Sequence, residues 1–559
     1  MKTLRTIFEE LSISHFPEQL PDLAIEGIAI DSRAVKPGYL FVAIKGGALD
    51  GHDFISKAIE NGAVAIVGEK DVSGLELPYV RVQDTRQALT WIAASFHNFP
   101  ARRLTVIGVT GTDGKTTTCN LIYKILLAAG IKAGLISTVN AVIGDEVLDT
   151  GFHVTTPDAH DVQHYLARMV EAGLTHVVLE TTSHGWAQFR VDACEFDIGV
   201  ITNITHEHLD QHGSYENYRA AKGRLFTSLE KTLPKPQGNP RLAVLNRDDR
   251  SYEYLDSITK VRKVSYGIES SADICAEEIR YIPFGSQFMA VGNGARIAIK
   301  SKLVGEYNVS NILAALSATV IGLGIKPEIA AQGIASLEGV PGRMERIDLG
   351  QNFTAIVDFA HTPNALKVTL EAARGMLFSS TAKSATLAPD ASVGENAKKD
   401  LNLGELSEFR GSEEPRVIAV FGSAGLRDKE KRRMMAETSA GLADLTVLTA
   451  EDPRTESLEE ILGEMAAGAR SKGRREGETF WRVADRGEAI KFALSLARPG
   501  DIVLSCGKGH EQSMCFGVIE YPWDDRVAMR AALSQLLGME GPKMPYLPTQ
   551  NKTEEEWLK

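Results

Sequence analysis

The stretch LTVIGVTGTDGKTTTCNLIYKILLAAG, residues 104–130, constrains the fold of this chain more than any other. An apolar run leads into a glycine-rich turn, and the turn leads into a helical pattern that stops at Gly130. Strand, turn and helix in that order aim backbone N–H groups and a helix N-terminus at one point, which suits a phosphate group. In such a loop Lys115 would reach the β- and γ-phosphates of a nucleotide, and the Thr116 hydroxyl would bind Mg²⁺. The spacing is unusual, because a common phosphate loop has glycine five residues before Gly114 and this chain has Val109.

A chain of 559 residues divides into several domains. The net charge of −12, with both signs interspersed, speaks against a broad nucleic-acid or anionic-membrane surface. Five scattered cysteines without a C-x-x-C pair fit neither a disulfide framework nor a zinc ribbon, and suit a reducing compartment. Glu9 and Glu10 stand where a secretion signal would need apolar residues, and no apolar run approaches a membrane span. These features lead to the expectation of a soluble, cytoplasmic protein.

Three regions separate by pattern. Residues 1–102 mix short strands and helices (LFVAI, FISKAIENG, AVAIVGE). Residues 103–340 alternate strand and helix, with AGLIST, THVVLETT, DIGVITN and RLAVLN as strands, which implies a mostly parallel sheet. Thr156 and Pro157 read as the N-cap and first residue of a helix. Residues 341–559 repeat the rhythm with FTAIVDFA, RVIAVFG, DLTVLT and DIVLS, as in a second doubly wound domain. Residues 379–415, rich in Ser, Ala, Glu and Lys, have no apolar period and are expected to be a disordered surface insertion, and residues 541–559 a loose tail.

Several further stretches carry chemistry. Glu180 ends a strand, where α/β sheets place their ligands and a carboxylate could hold Mg²⁺. NITHEHLDQH crowds histidines and acids but lacks H-E-x-x-H, so His208 beside a phosphate-bound Mg²⁺ is a better reading than a zinc protease. Lys222, seven residues after Tyr215 on an expected helix, reads by itself as a solvated side chain. Asn308 and Asn311 stand at a helix start, where asparagine often only caps. VPGRMERI places Arg343 like a hinge, VDFAHTP puts Asp358 and His361 at a strand end, and VFGSAGLRDKEKR and SCGKGHEQ are two more glycine turns with cations.

Together and in order, IDSRAVKPG, TGTDGKTTT, TTPDAHDVQ, LETTSHG, NITHEHLDQHGSYENYRAAKGRLF, GEYNVSN, PGRMER, VDFAHTP, GLRDKEKR, EDPR and GKGHE resemble the Mur ligase family over nearly the whole chain. Within the family they are similar to the ligases that add the third amino acid of the peptidoglycan stem peptide. The resemblance implies an α/β, three-domain architecture: a UDP-sugar-binding N-terminal domain, a central P-loop ATPase-like parallel sheet, and a C-terminal Rossmann-like domain for the incoming amino acid. Ser32 would lie near the UDP end. Gly111, Thr112, Asp113, Gly114, Lys115, Thr116 and Thr117 would hold ATP, with Asn311, Arg343 and Asp358 also on the nucleotide. Thr116, Glu180 and His208 would bind Mg²⁺. Lys222 matches a lysine carbamylated by CO₂ in the family, and as a carbamate it would help to hold a second Mg²⁺. Thr155, Thr156, Thr182, Gln188 and Arg190 match positions around the UDP-N-acetylmuramoyl-dipeptide. Arg427, the loop Glu451, Asp452, Pro453 and Arg454, and Gly507 and Glu511 match the amino-acid site.

The implied reaction activates the D-glutamate carboxylate of UDP-N-acetylmuramoyl-L-alanyl-D-glutamate as an acyl phosphate, which the amine of a diamino acid then attacks. Domain closure would assemble the groups and exclude water, and the protein is expected to act as a monomer. The chain departs from the diaminopimelate-adding pattern Asp-Asn-Pro-Arg at Glu451 and Asp452, and reads ETTSH where E-x-S-S-H is commoner. Arg454 is retained and suits a second carboxylate, so meso-diaminopimelate is the expected substrate. L-lysine or L-ornithine is the alternative, because Asp452 could repel a distal carboxylate or attract a distal amine. A folylpolyglutamate or cyanophycin-type ligase fits the IDSRAVKPG domain less well, and a non-catalytic nucleotide-binding regulator would have no need of Lys115, Glu180, His208 and Lys222. Deleting residues 380–412 is expected to leave kcat and the melting temperature near wild type, checked by phosphate release and thermal unfolding.

Overall fold

The computed structural model describes residues 2–11, 20–46, 49–148, 155–205, 213–282, 285–292, 294–384 and 414–551. His206, His208 and residues 385–413 of the expected insertion lie outside them. Residues 379–384, read as part of that insertion, instead end the helix Pro363–Ser384. The chain forms two compact units. The first comprises Met1–Glu277, Met289–Ala298 and Val309–Ser336, and the second Glu278–Phe288, Ile299–Asn308 and Leu337–Lys559.

The first unit opens with a four-stranded parallel sheet ordered Gly27–Ala29, Tyr39–Val42, Ala63–Gly68, Tyr79–Arg81. Its larger sheet has Thr105–Thr110 at the centre, flanked in parallel by His176–Glu180 and Ile198–Ile201. Ala133–Ile136 lies outside His176–Glu180, and Leu242–Asn246 and Arg262–Gly267 continue the other side, all parallel. Every residue of Thr105–Thr110 is buried, as an apolar run covered on both faces should be. Lys235 is buried under this sheet, pairing with Asp197 at 2.6 Å and donating to the carbonyls of Leu104 and Glu195.

The second unit's sheet runs Glu345–Ile347, Thr354–Asp358, Ile502–Cys506, Val417–Phe421, Leu445–Leu448, Phe480–Arg482, parallel except for the first strand. The last strand in the chain to join, Ile502–Cys506, inserts between the first two parallel strands. A doubly wound sheet collects ligand-binding turns at its strands' carboxyl ends. Asp358, Gly422 and Gly507 stand at such ends, and Glu451 follows three residues after Leu448. Arg486 pairs in two places with Asp525, both side chains fully buried, and also donates to the carbonyls of Ala450 and Cys506. This clamp ties together the starts of the Glu451 and Gly507 turns.

Two expectations from the sequence change here. The helix after the TTPD turn is Ala159–Glu171, with Asp158 rather than Thr156 at its N-cap, because the Thr156 hydroxyl is engaged by Thr182 and the Glu180 carbonyl instead. Residues 541–551 are not a loose end. Leu547 is wholly buried in the second unit's core, Met544 packs on it, and the Thr549 hydroxyl donates to Asp485, the N-cap of the helix Arg486–Leu496. Leu547→Ala is therefore expected to destabilise the protein by about 2–4 kcal/mol, the usual range for a buried leucine, read from denaturant unfolding.

Candidate active site

The phosphate loop is held open by its neighbours. The Thr112 N–H donates to the Asn203 carbonyl at 2.8 Å, and the Asp113 N–H to the Asn203 side chain at 3.0 Å. The Thr202 hydroxyl and the Asn203 amide both donate to the Asp113 carbonyl. Gly111 packs so closely on Thr202 that an added Cβ would lie 1.8 Å from its hydroxyl oxygen, and φ is +150° there, so only glycine fits. The helix Lys115–Ala128 starts from Gly114 with no side-chain cap, leaving its first N–H groups without an N-cap partner. The Lys115 ammonium bends back to the Thr112 carbonyl at 2.7 Å.

Thr116 and Glu180 come together as a metal site requires. The Thr116 hydroxyl donates to Glu180 Oε1 at 3.1 Å, both residues are buried, and the Thr138 N–H holds Oε2 at 2.9 Å. A hydroxyl and a carboxylate converging beside a phosphate loop form a donor set that suits Mg²⁺. Lys222 is on the helix Tyr215–Ser228 but is buried, not solvated. Its Nζ donates to the Gly111 carbonyl at 2.6 Å and lies over the Tyr218 ring. Asn311 does more than cap: its Oδ1 accepts from Thr118 and sits against Gly114. Thr117 is buried within the first turn of that helix.

Beside Glu180, Thr156 and Thr182 share a hydroxyl contact at 3.2 Å. Arg190 donates to the Thr156 carbonyl and to Gln188, and pairs with Asp158. Thr155 is half-buried at the adjacent bend. Ser32 is buried in the smaller sheet's first turn, where its carbonyl accepts from Asn61.

In the second unit, Asp358 is engaged by the protein itself. Its carboxylate accepts from the Met344 and Ala360 N–H groups and the Thr369 hydroxyl, which fixes the turn bearing Arg343. Arg343 stacks on Phe359, as do His361 and His510. Burial pushes both histidines down to about 3, so they stay neutral near pH 7. Arg427 is exposed on its turn.

The Glu451–Arg454 turn is built from charges. Asp452 accepts from Lys508 at 3.0 Å and from the Cys515 N–H at 2.9 Å. Lys508 also pairs with Glu511. Burial opposes the Lys508 charge, yet Glu511 and Asp452 outweigh it and raise its pKa. The Arg454 guanidinium makes no hydrogen bond or ion pair with any described residue. Glu451 is buried with Oε2 lacking a partner, and a Cβ on Gly507 would lie 2.6 Å from that oxygen. Burial pushes its carboxyl up to about 7, against the pull of Lys431, Arg486 and Lys508. Sequence reasoning missed Thr202, Asn203, Tyr218 and Lys508. Of these only Lys508 had a local signal, in the GKGHE turn.

The Mur ligase family catalytic domain matches residues 24–97, the Mur ligase middle domain residues 109–319, and the Mur ligase glutamate ligase domain residues 403–509. A UDP-N-acetylmuramyl-tripeptide synthetase of Roseiflexus sp. is 39% identical over 94% of this chain and 97% of its own. A UDP-N-acetylmuramoyl-L-alanyl-D-glutamate–2,6-diaminopimelate ligase of Geobacillus thermodenitrificans is 39% identical over 92% and 96%. A solved structure of a ligase of the latter name superposes with a TM-score of 0.61 at 28% identity, covering 96% of this chain and 99% of that one. The protein is an ATP-dependent amide ligase. It belongs to the Mur ligase family.

The buried Glu451 has a measurable consequence. Its folded pKa of about 7 lies above the unfolded value of 4.5, so the folded state binds the extra proton and this residue costs stability increasingly as pH rises from 4.5 through 7. Glu451→Gln removes that term. Its stability relative to wild type should be greater at pH 8 than at pH 5 by roughly 2 kcal/mol, from denaturant unfolding at both pH values.

Proposed function

We propose that this ligase joins meso-2,6-diaminopimelate to the D-glutamate side-chain carboxylate of UDP-N-acetylmuramoyl-L-alanyl-D-glutamate, in peptidoglycan synthesis. The observation that carries the choice of amino acid is the Arg454 guanidinium, unpaired among described residues beside a turn whose carboxylates are partnered elsewhere or buried. A guanidinium held in this way suits a carboxylate in two-point contact. Lysine and ornithine have no distal carboxylate to offer it. Asp452, the departure that favoured a distal amine, is already matched by Lys508.

The reaction begins with attack of the glutamate carboxylate on the γ-phosphorus of ATP, giving an acyl phosphate and ADP. The amine of the incoming amino acid then adds to the acyl carbon, and inorganic phosphate leaves as the amide forms. Both steps gather negative charge, which Lys115 and the uncapped first N–H groups of the helix Lys115–Ala128 offset. Thr156, Thr182, Gln188 and Arg190 orient the muramoyl-dipeptide, with Ser32 toward its UDP end. Mg²⁺, held by Thr116, Glu180 and His208, would neutralise phosphate charge. Lys222 is read as a carbamate: its amine adds to CO₂ with loss of a proton, which creates an anionic metal ligand and still leaves one N–H for the Gly111 carbonyl. The five cysteines are free, which supports a reducing, cytoplasmic location.

The test is ATP- and muramoyl-dipeptide-dependent phosphate release with a panel of amino acids. Wild type should prefer meso-diaminopimelate over lysine and ornithine. Arg454→Ala should lower kcat/KM for diaminopimelate by roughly 30-fold or more while changing residual lysine use little, as loss of a buried charge-assisted contact costs on the order of 2–5 kcal/mol. A wild-type preference for lysine or ornithine would reject this substrate. Lys115→Ala should abolish release with every amino acid.

A further inference from the structure

The turn that carries Arg454 is strained and pinned. Asp452 and Arg454 both have left-handed backbones, with φ of +39° and +54°, and neither is glycine. Such conformations persist only where surroundings enforce them. Here the Arg454 N–H donates to the Cys515 carbonyl, the Gly517 N–H donates to the Arg454 carbonyl, and the Gly425 N–H donates to the Asp452 carbonyl. The Asp452 side chain is the fourth fixed point, held by Cys515 N–H and by Lys508. Lys508 is nearly inaccessible, with 1% side-chain exposure, and its ammonium lies between Asp452 and Glu511.

This arrangement answers a problem of charge. Three acidic side chains, Glu451 and Asp452 of the turn itself and Glu511, act on Lys508, while the turn must present a cation to its substrate. Without Lys508 the buried Asp452 carboxylate keeps the Cys515 N–H but loses its counter-ion, and Arg454 stands two residues on in the same turn. A buried charge stripped of its partner takes another or forces its surroundings to move. We propose that Lys508 is a positioning residue for substrate choice: by pairing Asp452 and Glu511 it keeps both carboxylates off Arg454 and reserves the guanidinium for the incoming amino acid's distal carboxylate. The proposal rests on the substrate reading above. It assigns Lys508 no contact with the reacting atoms.

The experiment is steady-state kinetics with ATP and muramoyl-dipeptide saturating, varying meso-diaminopimelate or lysine, for wild type, Lys508→Met, Lys508→Arg, Asp452→Asn and Asp452→Asn/Lys508→Met. Lys508→Met should raise KM for diaminopimelate by roughly 30-fold or more, as for other buried pairs that lose one partner. Its kcat and its KM for ATP should stay within about threefold of wild type, a margin well below one broken charge pair. The preference for diaminopimelate over lysine should fall with it. Lys508→Arg should retain the preference. Adding Asp452→Asn to Lys508→Met should recover much of it, since a neutral amide does not compete for Arg454. An unchanged preference in Lys508→Met, or equal losses for both amino acids and for kcat, overturns the proposal. Should Lys508→Met fail to fold, Lys508→Gln, which keeps a long polar side chain without the charge, decides: a fall in the preference with KM for ATP unchanged supports the proposal, and an unchanged preference overturns it. If wild type does not use diaminopimelate, the substrate reading fails and takes this proposal with it. If wild type does use it and the variants behave otherwise than stated, the proposal fails alone.

Discussion

The first unit depends on a short piece of backbone being prevented from satisfying itself. Between Thr110 and Lys115 the chain leaves a strand and enters a helix, and its polar groups could close into an ordinary turn. Asn203 and Thr202, from the end of the neighbouring strand, take up the Thr112 and Asp113 groups instead. Lys222 takes the Gly111 carbonyl from a third element. What remains is the uncapped start of the helix Lys115–Ala128, with the Lys115 ammonium beside it on the Thr112 carbonyl. Thr116, Glu180 and Asn311 then acquire their positions relative to that helix start, because Thr116 lies in it, Glu180 accepts from Thr116, and Asn311 accepts from Thr118.

In the second unit an analogous economy holds for charge. Asp452, Glu511 and Asp525 are each paired with a buried cation, Lys508 for the first two and Arg486 for the third, and burial makes Glu451 harder to ionise. His361 and His510 pack against Phe359 as neutral rings, because burial suppresses their charge, and a ring nitrogen of His361 meets the Phe359 carbonyl.

Much of this was legible from sequence, for a physical reason. Buried parallel strands are unbroken apolar runs, so Thr105–Thr110, His176–Glu180, Ile198–Ile201, Thr354–Asp358 and Ile502–Cys506 all announced themselves. Residues at strand ends, such as Glu180 and Gly507, followed from that. What local pattern could not convey was partnership across distance. Lys222 looked solvated because a helix position says nothing about the carbonyl 111 residues earlier that it meets. Thr156 looked like a cap because its true partner, Thr182, comes from another strand end. The tail looked loose because it carries no apolar period, while Leu547 and Thr549 are tied to a core and a helix cap formed far upstream. Asp452 looked like a liability for the same reason: Lys508, its counter-ion, lies 56 residues away.

The Arg486–Asp525 clamp bears on how the family can vary. Both side chains are fully out of water, and the guanidinium also supports the carbonyls of Ala450 and Cys506, from which the Glu451 and Gly507 turns depart. Breaking such a pair from either side strands a charge in the interior, whereas replacing it whole with apolar residues of similar volume is often harmless to stability. A single nucleotide change at either position therefore descends into a valley that only a second change at the other can cross. Lineages should thus keep both residues or have exchanged both, with few surviving intermediates.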